Sequence, residues 1–287
     1  MSSTITEAFV QQYSNNVQML SQQKGSLLRG VVDVESVVGK HAYFERIGQV
    51  SAQKRVSRHS DTPQIDTPHS RRRVSMSDYE FADLIDQQDR VRTLIDPTSQ
   101  YALAAAYAMG RSMDDEIISA VAGDAFGGET GSTTIALPAG QKITESGTDG
   151  LTIAKLRSAK EIMDSQSIDP SIPRTIVISP KQVTDLLGTT EVTSSDFNTV
   201  KDLANGEINT FLGFNFIVSN RLTSSNSKRL CLAFTNDAVK LALGKDVMTR
   251  IDERSDKGYS TQVYVCMTMG ATRLEDEKVV TIQAHEA

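Results

Sequence analysis

The sequence predicts an α+β fold, and three observations carry that prediction. One segment reads as a long helix. After Asp96-Pro97, an N-cap residue followed by proline at the first helical position, the run SQYALAAAYAMGRSMDDEIISAVAG repeats Met109, Met113, Ile117 and Val121 at fourfold spacing and stops near Gly123. A second segment, PRTIVISP, is a short apolar run bounded by prolines, the pattern of a buried strand. Finally, strands and helices are mixed without a regular βαβ repeat, which separates the chain from doubly wound folds.

Totals narrow the function classes. At 287 residues the chain can hide roughly three quarters of its unfolded surface and needs no covalent staple. A formal charge of -6 argues against a uniformly basic nucleic-acid-binding protein. Cys231 and Cys266 are far apart and outside metal-ligand spacing, so they read as reduced core thiols in a cytoplasmic setting. The opening MSSTITEAFVQQYSNN has neither the basic nor the apolar region of a signal peptide, and no window approaches a membrane-spanning apolar run.

In chain order, residues 1–40 form a Gln/Ser-rich arm. Within it Val10, Tyr13, Val17 and Leu20 make a narrow helical stripe, suited either to a terminal helix on its own domain or to an arm reaching a neighbour. HAYFERIGQV reads as a strand, and Val74, Met76 and Asp78 alternate in a second one. Between them lies SAQKRVSRHSDTPQIDTPHSRRR, which has almost nothing to bury. Two such legs around a proline-containing tip make a ribbon about 30 Å long, marginal by itself in water. From Lys54 to Arg73 the charge is +4, and from Val74 to Asp96 it is -4. Either these are two solvated faces, or the basic ribbon of one copy docks on the acidic strip of the next.

The long helix follows, about 40 Å by its length, a spine rather than a packing element. Then come a glycine-rich turn, the run TTIALP, a helix over 151–165, the PRTIVISP strand and a short helix in KQVTDLLG. After a loop, strands are expected at FNFIVS and RLCLAFT, a helix at NDAVKLALG, and strands near VMTRIDE, STQVYVCMTMGATRL and KVVTIQA.

No active site is legible. GDAFGGET has the glycine spacing of a phosphate loop, but Glu129 stands where lysine is required and the helix-then-strand context is reversed. Asp114, Asp115 and Glu116 are adjacent on one helix and do not converge on a cation, so they read as a solvated face. None of His41, His59, His69 and His285 is placed beside a nucleophile, and the basic tip lacks interleaved aromatics for stacking on bases. No cofactor or metal is implied.

The order of elements resembles the major capsid protein of tailed bacteriophages, the Hong Kong 97-type shell fold. AAAYAMGRSMDDEIISAVAG resembles its spine helix, LTIAKLRSAKEIMDSQSIDPSIPRTIVISPKQVTDLL the entry to its axial domain, and LGFNFIVSNRL and GATRLEDEKVVTIQA its later strands. The resemblance implies an arm (1–40), an extended loop (41–80), a peripheral domain (81–175), an axial domain (176–259), and closing strands (260–287). It further implies hexamers and pentamers in an icosahedral shell around double-stranded DNA contacted non-specifically. Separate scaffold, portal and possible cement proteins, assembly in the host cytoplasm, and no membrane partner belong to the same expectation. Lys54, Arg55, Arg58, Arg71, Arg72 and Arg73 are then expected on a neighbouring subunit, near Asp78, Glu80, Asp83, Asp86 and Asp89, so reversing Arg71 to Arg73 should leave the monomer folded. The alternatives are an encapsulin-like nanocompartment shell, with the same fold around enzymes, and a soluble enzyme with a basic lid.

Overall fold

A computed structural model describes residues 22–55, 57–58, 61, 64–86, 98–144, 149–188 and 210–286. Its longest helix, α1, spans Thr98–Ala122, and Met109, Met113, Ile117 and Val121 are all buried along it. Positions four apart stack on one face, so a single apolar stripe suffices to seat the helix. The Asp96-Pro97 start signal lies outside the described residues. Helix α2 (Ile153–Ser165) begins at Thr152, whose side chain accepts from the Lys155 amide. Helix α3 (Pro180–Leu187) begins with a Ser179/Gln182 capping box and a proline in its first turn.

The strands are, in order, β1 (Asp33–Ser36), β2 (His41–Ile47), β3 (His69–Ser75), β4 (Ser77–Ile85), β5 (Ala125–Gly127), β6 (Thr133–Ile135), β7 (Lys142–Ile143) and β8 (Arg174–Ile178). They continue with β9 (Thr210–Phe211), β10 (Phe214–Val218), β11 (Ser224–Ser225), β12 (Lys228–Thr235), β13 (Val239–Arg254), β14 (Ser260–Arg273) and β15 (Val279–His285). Three sheets result. The first runs β1-β13-β14-β4, the second β7-β15-β12-β8-β10-β9 with β11 beside β12, and the third β2-β3-β5-β6.

The second sheet explains why RTIVI is apolar at every position. Val177, Leu232, Phe234 and Val279 face α1 and the first sheet, whereas Ile176, Ile178, Cys231, Ala233, Val280 and Ile282 face α2. A strand covered on both faces carries a continuous apolar run instead of an alternating one. Burial also pushes the Cys231 thiol up to about 12, so it stays protonated and unreactive.

Several expectations are corrected. NDAVKLALG is not a helix: Asn236–Ala238 is one turn of 3-10 helix and Val239 begins β13. Its apolar residues suit both periods, since Ala238, Leu241 and Ala242 fit a helix while Val239, Leu241 and Leu243 fit a strand. Pairing of Val239 to Leu243 with β14 decides the outcome. The apparent single strand after Arg73 is two, β3 and β4, broken at Met76. Its amide turns aside to the Lys40 carbonyl at 3.0 Å. Sheet membership also cuts across the expected boundaries: β13 and β14 pair with each other beside α1, while β15 lies next to β12 in the second sheet.

Residues 22–36 belong to the subunit: Leu28 and Val32 enter the core around α1, and β1 pairs in parallel with β13. Asp114, expected on a solvated face, is fully buried and holds this segment. Its Oδ2 accepts from Gln23 Nε2 at 2.5 Å, and its Oδ1 accepts from Ser26 Oγ at 2.5 Å and from the Leu27 and Leu28 amides at 3.1 Å. Four donors on one short stretch replace the water that a carboxylate loses on burial. Gly110, one turn back, lets the chain close in: a Cβ there would sit 2.5 Å from the Gly25 carbonyl carbon. The neighbours of Asp114 are used as well, Asp115 pairing with Arg221 and Glu116 accepting from Tyr79 at 3.0 Å.

Candidate assembly surface

The ribbon is built from β2 and β3, antiparallel with His41 opposite Ser75 and Ile47 opposite His69. Cross-strand partners share a face. Phe44 and Arg72 therefore point one way with Ala42 and Val74, toward the core beside Ala242. Tyr43, Glu45, Arg71 and Arg73 point the other way.

The basic residues divide between base and tip. Arg72 is 1% exposed. Its Nη2 donates to Asp276 at 2.6 Å and its Nε to the Leu274 carbonyl at 3.3 Å. The same carboxylate accepts from Arg273 Nε at 2.6 Å. Arg273 also donates to the Val121 and Gly123 carbonyls and to Ile135, closing the C-terminal end of α1. Burial holds the Arg72 guanidinium below its usual pKa, with Asp276 opposing that shift. Arg72 is thus core, correcting its placement on a neighbour: one carboxylate joins the ribbon to the end of the spine.

Arg71 lies 5.8 Å from the Tyr43 ring centroid and 3.4 Å from Glu45, and Arg73 lies 5.2 Å from the Phe126 ring. Both are half-buried and engaged within the chain. Lys54, Arg55 and Arg58 differ. Every described residue from Gly48 to Pro68 is exposed. Among the described residues Arg55 donates to the local carbonyls of Ser57 and Arg58, and none of the three has an ion pair.

Asp78, Glu80 and Asp83 of the strip sit on β4, an edge strand of the first sheet, and Asp86 follows its last residue. Asp78 accepts from Thr268 at 2.6 Å and Glu80 from Tyr264 at 2.8 Å, while Asp86 accepts from Ser260. All three are exposed, and Asp78 and Glu80 share one face by strand parity. Asp83 lies on the opposite face, half-buried, with an oxygen on the Leu84 amide. Asp89 lies outside the described residues. Charged side chains along a sheet edge also discourage indiscriminate strand pairing.

Asp114 and Asp276 escaped sequence reasoning. Only Asp114 left a signal, lying between Gly110 and Ile118 at fourfold spacing, a track of small and apolar residues. Among the described residues no group of three or more His, Cys, Asp or Glu side chains gathers as a metal site. A cleft at the ribbon base is lined in part by Glu45, Asp169, Glu275 and Glu277, with Arg46 and Lys278 among them.

A family model described as phage capsid protein matches residues 5–286. No curated protein matches. Among solved structures, the capsid of cyanophage P-SCSP1u superposes with a TM-score of 0.76 at 20% identity, over 100% of this chain and 96% of that one. The capsid of Ralstonia phage GP4 gives 0.76 at 12% identity, over 98% and 96%. The capsid of Helicobacter pylori bacteriophage KHP30 gives 0.72 at 13% identity, over 99% and 98%. These likenesses establish the fold, and the family model covers nearly the whole chain. The chain belongs to the phage capsid protein family, whose members are structural proteins of the virion shell and not enzymes.

Proposed function

We propose that this chain forms hexamers and pentamers of an icosahedral phage head that encloses double-stranded DNA. Portal, scaffold and cement proteins are its separate partners, and assembly takes place in the host cytoplasm. The single observation that carries the contact model is the ribbon tip: exposed at every described residue, basic, and without a carboxylate partner of its own among the described residues. Lys54, Arg55 and Arg58 of one copy lie on acids of the next, with Asp78, Glu80 and Asp86 as the acceptor strip and the cleft at Glu45, Asp169 and Glu277 beside it. Each exposed pair contributes at most about 1 kcal/mol, but closed rings of identical contacts make small terms sufficient.

On this reading the extended loop is 41–80. The peripheral domain is α1 with the first sheet, and the axial domain is the second sheet with α2 and α3. Electron microscopy of particles formed with the cognate scaffold, with assay of nuclease-protected nucleic acid, tests the proposal. Closed shells that protect DNA are expected. Particles filled with protein cargo and free of DNA would favour the nanocompartment, and failure to form shells under any condition would overturn the reading.

A further inference from the structure

The β13–β14 hairpin ends far from the ribbon base. Ser75 of β3 lies against Gly270, and ten residues of β14 lead from there to Ser260, about 33 Å. At that end Ser255–Lys257 is one turn of 3-10 helix, and Gly258 and Tyr259 follow with φ of 63° and 60°. The Tyr259 amide closes the turn by donating to the Arg254 carbonyl at 3.0 Å, and Ser260 Oγ donates to the Lys257 carbonyl at 2.6 Å. Neither bond uses the aromatic ring. A left-handed backbone disfavours any residue with a Cβ, and glycine or asparagine meets the need at lower cost. Four other described non-glycine residues have positive φ. Ser167, Asn226 and Ser227 are small and polar, and Leu212 packs against the core beside α2. Tyr259 is large and 61% exposed, so burial does not offset its backbone strain. Strain kept at an exposed aromatic points to a role outside the subunit.

The same end carries other exposed apolar groups. Leu84 and Ile251, 44% and 48% exposed, lie two and three rungs behind the turn on opposite faces of the sheet. Charge indicates what covers them. RIDERSDK (250–257) holds three bases and three acids, net zero. Two copies of the basic ribbon tip repel each other, as do two copies of the acidic strip. Two copies of this hairpin end do not, and its alternating signs give each base an acid to meet across a rotation axis. Tyrosine, with an apolar body and a polar tip, is a residue type that anchors such contacts.

We propose that the β13–β14 hairpin end meets the same hairpin end of another copy around a rotation axis, with Tyr259 at the centre. This rests on the shell reading above and adds a contact separate from the ribbon. Tyr259→Gly suits the backbone better and removes the ring. The unassembled variant should keep or raise its denaturant midpoint, while shell yield with the cognate scaffold falls about tenfold, because the contact repeats throughout the shell. Ser255→Cys keeps Tyr259 and every charge. In its shells a short bis-maleimide should join chains in pairs, with the parent as blank because Cys231 and Cys266 are buried. Normal shells or a lowered midpoint from Tyr259→Gly, or no pairs from Ser255→Cys, would overturn the inference and leave the shell reading standing. A parent chain that forms no shells would instead remove that reading, and this inference with it.

Discussion

At the base of the ribbon Arg72 is buried and shares Asp276 with Arg273, while at its tip Lys54, Arg55 and Arg58 stand in solvent. Both ends have the same basic composition, and their energetics are opposite. A buried guanidinium has lost its water and depends on a particular carboxylate, so either partner alone is costly. An exposed one keeps its water and contributes little until something docks on it. Basic character therefore indicates nothing about whether a residue serves folding or assembly; depth and pairing decide.

The most damaging single change should be at the base. Asp276→Ala leaves Arg72 and Arg273 buried without their counter-charge, and a loss of about 3–5 kcal/mol in unfolding free energy is expected. Denaturant melts of the unassembled chain would measure it, and a loss below about 1 kcal/mol would erase the distinction between base and tip. Arg72→Glu should be as severe, whereas Arg71→Glu and Arg73→Glu should cost far less.

Asp114 ranks next. Among the described residues it has no buried cation partner, so Asp114→Ala strands donors on residues 23–28 but frees no charge; about 2–3 kcal/mol is expected. The loss should be accompanied by faster proteolysis between Gln22 and Val32. An intact segment in Asp114→Ala would mean that Leu28 and Val32 suffice to hold it.

A smaller effect concerns pH. Burial, then the neighbouring Glu116 carboxylate, pushes the Tyr79 hydroxyl up to about 12 from an ordinary 10. The folded state thus holds this proton more tightly than the unfolded chain. The stabilisation is complete below pH 10 and is lost as pH rises through about 12. Because Tyr79 is only half-buried, solvent screening keeps the term at or below about 1 kcal/mol. Stability should fall between pH 10 and 12 in the parent and less steeply in Tyr79→Phe. Equal slopes would place the hydrogen bond to Glu116 outside the folded state's pH response.

These cases also mark where the sequence was legible. The α1 stripe could be read because one helix face meets one core, and RTIVI because a strand covered on both sides writes itself as an unbroken apolar run. Both signals are local. Val239 to Leu243 failed because a short apolar run fits both periods until β14 pairs with it. Asp114 and Asp276 failed for another reason: the partners of Asp114 lie 86 to 91 positions away, as for Leu28 and Gln23, and although Arg273 is close in sequence, the Arg72 that Asp276 also holds is 204 positions away. The two legs of the ribbon were visible, but the inward face of β3 depends on its register with β2 and on β5 closing over Arg73.

The smallest effect on stability should come from the tip, where the largest effect on assembly is expected. Lys54→Glu, Arg55→Glu and Arg58→Glu together touch no buried atom and no ion pair among the described residues, so unfolding free energy should change by less than about 0.5 kcal/mol. If the tip lies on Asp78, Glu80 and Asp86 of a neighbour, the reversed charges would face carboxylates. Shell yield should then fall sharply, and fall most at low salt, because added salt screens like-charge repulsion over about 10 Å at 0.1 M. Reversing Asp78, Glu80 and Asp86 to Lys in the same chain should restore assembly, since the pair is then inverted and not broken. Normal shells from the first variant would return the tip to the status of a solvated loop. Failure of the combined variant, with both parents folded, would leave the tip at an interface but move its acceptor elsewhere, first to the cleft at Glu45, Asp169 and Glu277.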